Sequence, residues 1–174
     1  MNSVLVAPGG LLPEGFAPVF MAGPVGGAGP WRSELAGRMR LGVDGGRVAF
    51  VDPGAPAAFS ISVGARVAWE QGMLDASLQR GLLIMWLGEQ REATKMLEGL
   101  PRPFGLASML ELGWVSANYG VYDSRRLQIG ISESFPSSDY VRQYLATRIP
   151  EAHLAWTLAG LASRCVAALK ALNC

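Results

Sequence analysis

"PVFMAGPVGGAGPWRSELAGRMRL", residues 18–41, changes pattern twice within one short stretch, and those changes decide the fold. Residues 18–22 are an apolar run bounded by turn residues, as expected for a strand covered on both faces. "GPVGGAGP" (23–30) holds four glycines and two prolines in eight positions, which excludes regular structure and predicts a loop. From Trp31 onward the apolar residues Trp31, Leu35 and Met39 recur at every fourth position. That spacing predicts an amphipathic helix over 31–41 with Arg32, Arg38 and Arg40 outside its stripe. Strand, glycine-rich loop and helix, in that order, open a βαβ unit.

The alternation repeats. "RVAFV" (47–51) reads as a second strand, stopped by Asp52 and Pro53, and 63–77 as a helix offering Val67, Met73, Leu74 and Leu78 to a core. "GLLIMWL" (81–87) is the most strand-like run, "GLASMLELGWVSANYG" (105–120) a helix ended by Gly120, and "LQIGI" (127–131) a fourth strand. A shorter helix is expected over 138–148 and an alanine-rich closing helix over 150–172. Strands alternating with helices imply right-handed crossovers and a mainly parallel sheet with helices on both faces. Such sheets bind ligands beyond the carboxyl ends of their strands. The loops beginning at Gly23, Asp52, Gly88 and Ser132 therefore share one rim, with Glu111 on the helix that follows the third.

Composition narrows the function. The 174 residues suit one domain, here 17–174 behind a flexible N-terminal segment 1–16. With 50% hydrophobic and 17% charged residues and a net charge of +1, the chain has no electrostatic bias toward nucleic acid polymers or membrane surfaces. Cys165 and Cys174 are the only cysteines, without zinc-ligand spacing, and read as reduced thiols; no metal and no cofactor is expected. The N-terminus lacks a basic segment before its apolar residues and is interrupted by Pro8, Gly9, Gly10 and Pro13, unlike a secretory signal. The apolar stretch 154–172 carries Arg164 at its middle, which is costly in a bilayer. A soluble cytoplasmic protein is the expectation.

Several motifs compete for the chemistry. "GPVGGAGP" is either a phosphate cradle at a helix N-terminus or a plain turn, since it fits neither nucleotide-binding glycine pattern. His153 is the single histidine and reads as a surface or core residue, which leaves no Ser-His-Asp or Cys-His set. Carboxylates remain. Glu70 in "VAWEQGML" and Glu111 in "SMLELGW" are flanked by large apolar residues, whereas Glu89, Glu92 and Glu98 lie in a charged loop. An ionised carboxylate taken out of water costs several kcal/mol, on the order of 3 or more, unless it is paired or protonated. Glu111 therefore either pins its helix to the sheet through hydrogen bonds or performs chemistry. Two acids without metal or histidine suit glycosyl transfer, where one attacks or steadies an oxocarbenium-like carbon.

"VFMAGPV", Trp31, "VAFVDP", "WEQGMLDAS", "LLIMWL", "SMLELGW" and "IGISESFPSSDYVRQYL" together, and in this order, resemble the motifs of the nucleoside 2-deoxyribosyltransferase-like family over residues 17–148. The resemblance implies an α/β flavodoxin-like three-layer sandwich. It implies an enzyme that cleaves the N-glycosidic bond of a 2′-deoxynucleoside and passes the sugar to another nucleobase, with Glu111 as the covalent nucleophile. Glu70, in the "WE" pair, would help hold the sugar and base, and Gly23, Pro24 and Val25 would line the nucleoside pocket, with Ser108 also binding substrate. Hydrolysis of a nucleoside or its 5′-monophosphate is the close alternative, for which Arg32 beside the glycine loop is suggestive. A catalytically silent nucleotide-binding module is a more distant one. The resemblance also implies a homo-oligomer with sites near subunit interfaces, for which the apolar last helix offers a surface.

The chain departs from the pattern in three places. The stretch "PFGLAS", where the family has a base-contacting aspartate, holds no acid, so protonation of the leaving base is unassigned. The "WEQGMLDASLQRGLLIMW" segment is two or three residues longer than the usual motif, which makes Asp75 the alternative to Glu70. The family's carboxyl-terminal segment has no clear match.

Overall fold

Four apolar runs become the centre of one sheet. In the computed structural model, which describes residues 2–42, 46–56, 60–91, 96–97, 100–101, 104–118, 120–148 and 154–172, they form β2 (Ala17–Ala22), β3 (Arg47–Val51), β4 (Leu82–Leu87) and β7 (Leu127–Ile131). Two further strands, β1 (Asn2–Val6) and β8 (Leu154–Ala155), complete a six-stranded sheet in the order β1-β3-β2-β4-β7-β8 with every pairing parallel. The α-helices among the described residues are α1 (Trp31–Gly42), α2 (Val63–Arg80), α3 (Leu106–Ala117), α4 (Ser138–Arg148) and α5 (Leu158–Ala171).

Side-chain alternation along the strands builds two cores. Phe20, Ala22, Leu83, Met85 and Ile129 pack toward α2, α3 and α4, while Val19, Met21, Leu82, Ile84 and Trp86 pack toward α1 and α5. The result is a three-layer α/β flavodoxin-like sandwich. From β2 to β8 the order is the doubly wound 2-1-3-4-5, with β1 added beyond β3. The chain leaves β2 toward β3 through α1 on one face, then returns past β2 to β4 through α2 on the other. The strand order therefore reverses between β2 and β4, and the crevice above their carboxyl ends is open to residues from both helical layers.

Several sequence expectations need correction. Segment 1–16, read as flexible, supplies β1, and its Gly10 carbonyl accepts a hydrogen bond from Trp69 Nε1 at 2.8 Å. Its apolar run is short and passes directly into proline and glycine, so the sequence alone gives little sign of a strand. The closing helix begins at Leu158, where Thr157 accepts a hydrogen bond from the Gly160 N–H at 3.0 Å, and β8 precedes it. The 88–105 loop contains a short antiparallel ribbon of β5 (Met96–Leu97) and β6 (Leu100–Pro101). Val67, expected in the core, is exposed on α2 with Val63 one turn before it, while Met73, Leu74 and Leu78 turn inward together with Trp69.

The last helix is no free surface either. Its Leu161, Ala162, Cys165 and Leu169 are buried in the core shared with α1 and the sheet. Exposed apolar residues lie instead on α2 (Val63, Val67) and α3 (Leu106, Leu110). Among the described residues, no helix is long and apolar enough to cross a membrane.

Candidate active site

The site begins where β2 ends. Gly23 has φ +143°, and a Cβ at this position would collide with the Trp86 carbonyl of the adjacent strand and lie 2.8 Å from the Trp31 ring. Only glycine permits this approach of loop, strand and helix. The first turn of α1 then latches the loop. Trp31 Nε1 donates to the Pro24 carbonyl at 3.0 Å. The Arg32 guanidinium donates to the carbonyls of Met21 (3.0 Å), Pro24 (3.1 Å) and Gly23.

Arg32 lies outside the sequence-predicted stripe of α1 yet is buried, 8% exposed. Its cost of burial is met by the three carbonyls, by Asp52 Oδ1 at 3.3 Å from Nε, and by the Trp31 ring 4.3 Å from the guanidinium carbon. Burial lowers its pKa to about 10, against the raising influence of Asp52, Glu111 and Glu70, so it remains a cation at neutral pH. Asp52, at the end of β3, also accepts a hydrogen bond from the Gly54 N–H at 2.8 Å on the same oxygen. Val25 packs at this turn: a Cβ at Gly54 would come within 3.1 Å of it.

Glu111 comes from the opposite layer, in the second turn of α3. Part of the residue reaches solvent, but its Oε2 is fully buried and has no hydrogen-bond partner. Desolvation, followed by the nearby charge of Glu70, raises its pKa to about 7, with Arg32 opposing. A helix N-terminus can hold a carboxylate ionised. That of α3 does not do so for Glu111, which is five residues beyond Leu106, because the unpaired backbone N–H groups belong to the first turn. Glu70, on α2, pairs with Arg66 at 3.7 Å; burial raises its pKa, and Arg66 and Arg32 oppose the rise.

Arg32, on α1, therefore pairs with Asp52 at the end of β3 and lies within electrostatic reach of Glu70 on α2 and Glu111 on α3. Gly23 and Pro24 adjoin this cluster through their hydrogen bonds to Arg32, Val25 lies against the Asp52–Gly54 turn, and Gly105, which caps α3 at φ +71°, approaches Pro24 and Phe135. Ser108 is buried one turn before Glu111 on the same side of α3. Asp75 is not brought to the cluster: it accepts a hydrogen bond from Tyr122 Oη at 3.1 Å, further along α2 toward the amino ends of the strands. Three of the Arg32 N–H groups are engaged by the carbonyls of Met21, Gly23 and Pro24, which fixes the guanidinium against the end of β2 and the loop that follows it. Sequence reasoning missed both its burial and the role of Asp52 as its partner. The signal was present in Ala36 and Met39, buried at i+4 and i+7 from Arg32, which widen the stripe to include it.

Other candidates fall elsewhere. Cys165 is buried in the α5 core, where desolvation pushes its thiol far above the ordinary range. Glu89 pairs with Arg91 at 2.7 Å on the surface. His153, Cys174, Glu92 and Glu98 lie outside the described residues. Among the described residues no three His, Cys, Asp or Glu side chains are grouped to hold a metal ion. The sequence matches no protein-family model and no curated protein.

Proposed function

We propose that the protein is a nucleoside 2-deoxyribosyltransferase-like enzyme in which Glu111 attacks C1′ of a 2′-deoxynucleoside. The observation that carries this reading is the Glu111 carboxylate itself. One oxygen is buried without a partner, beside a second acid and a tethered cation, at the crevice where doubly wound sheets bind ligands. A carboxylate kept only to pin a helix would have its oxygens hydrogen-bonded.

The chemistry follows. As the C1′–N bond breaks, its electron pair leaves with the base, which takes up a proton, and Glu111 bonds to C1′. A second base attacks C1′, releases the proton from the nitrogen that bonds, and returns the carboxylate, so that no net proton is consumed. Glu70 is suited to orient the sugar hydroxyls, because its partial ion pair leaves it acceptor capacity. A second copy docking on the exposed Val63, Val67, Leu106 and Leu110 would lie beside the site.

Incubation with deoxynucleosides and free bases, followed by chromatography, tests this reading. The wild type should yield new nucleosides with ping-pong kinetics, and Glu111→Gln should lose essentially all exchange while remaining folded. Near-native exchange by Glu111→Gln overturns the mechanism; release of sugar and base at every acceptor concentration replaces transfer with hydrolysis.

A further inference from the structure

Arg32 presents a puzzle of its own. Its charge is felt by Asp52, Glu70 and Glu111, yet its ion pair is with Asp52. A carboxylate clasped by a guanidinium fork has its lone pairs engaged and attacks carbon poorly, whereas a desolvated carboxylate with no cation nearby stays protonated. A nucleophile at this position needs the charge without the clasp.

We propose that Asp52 is a positioning residue for the reaction at Glu111: with the carbonyls of Met21, Gly23 and Pro24 it holds the Arg32 guanidinium on the β2–α1 loop, where its charge reaches Glu111 and its N–H groups do not. The inference rests on the reading of Glu111 as nucleophile and adds two residues to it. Its geometry is that of a tether. Carbonyl acceptors occupy Nε, Nη1 and Nη2, Asp52 Oδ1 lies 3.3 Å from Nε, and the Trp31 ring covers one face at 4.3 Å. Asp52 is fixed in turn by the Gly54 N–H. The charged groups acting on Glu111 are Glu70 from α2 and Arg32 from α1, and those acting on Glu70 are Arg66 and Arg32. Arg32 therefore links the glycine-rich loop to both acids.

The test follows the proton on Glu111 without turnover. For each background, wild type, Asp52→Asn and Arg32→Gln, the stability difference from the same protein carrying Glu111→Gln is measured against pH, and its midpoint reports the titration of Glu111. Asn keeps the shape and the acceptor for the Gly54 N–H. Asp52→Asn should move the midpoint down by about one pH unit, because a negative charge is lost and Arg32 is released toward Glu111. Arg32→Gln should move it up by about one unit. The acid limb of kcat/KM should follow both shifts, and kcat of Asp52→Asn above that limb should fall about tenfold as the clasp forms. Should Arg32→Gln not fold, Asp52→Ala must repeat the downward shift. An unmoved or raised midpoint in the Asp52 variants, with stability lowered, makes the pair a loop brace only and overturns the inference. Loss of exchange in Glu111→Gln is a separate outcome that bears on the nucleophile alone.

Discussion

Glu111 is held where its charge is costly, and that cost is measurable without any substrate. Its folded-state pKa is raised to about 7 from an ordinary value near 4.5. A group raised in this way favours folding while protonated: its contribution is full below pH 4.5, declines as pH rises, and is gone above pH 7. Glu111→Gln, which cannot ionise, escapes that decline. The variant should match the wild type near pH 4 and exceed it increasingly up to pH 8, by at most about 3 kcal/mol and less where solvent screens the exposed part of the side chain. Denaturant midpoints across this range check the sign. A Glu111→Gln protein less stable than wild type at pH 8 would show that the carboxylate serves the fold. In sequence, Glu111 was legible because a lone acid among Met109, Leu110, Leu112 and Trp114 stands out. Arg32 was not, because one arginine among three on a helix looks solvated until the loop that wraps it is known.

At the level of elements, the site is made by the junction of β2, its glycine-rich loop and α1. Gly23 is the closest point of that junction. Gly23→Ala forces an alanine into φ +143° and drives its methyl against Trp86 and Trp31, so a loss of roughly 2–4 kcal/mol in stability is expected. Loop displacement should also release Arg32 and depress exchange. A variant that unfolds within about 0.5 kcal/mol of wild type would contradict the packing described. The central strands were legible because each is a continuous apolar run bounded by turn residues. β1 and β8 were not. Both are edge strands, one lying before a turn-rich segment and the other two residues long, and their pairing comes from the finished sheet rather than from local pattern.

On the scale of the whole molecule, the strand order does what no single motif does. Arg32 belongs to the layer of α1 and α5, and Glu70 and Glu111 to the layer of α2, α3 and α4. Groups from the two layers meet only over the strand ends. Alternating strands and helices were enough to predict a parallel sheet with a common rim, but not which side of that rim each residue occupies. Asp75, close to Glu70 in sequence, is turned toward Tyr122 for this reason. Quenching the protein during turnover of a 2′-deoxynucleoside, or of a 2′-fluoroarabino analogue that slows breakdown of the intermediate, and mapping the adduct by mass spectrometry tests Glu111 as nucleophile without intermediaries. Covalent catalysis by Glu111 requires one deoxyribosyl (or fluoroarabinosyl) unit on the peptide containing Glu111, discharged by added base and missing in Glu111→Gln. Base release with no adduct at Glu111, or with the sugar on another residue, would contradict it.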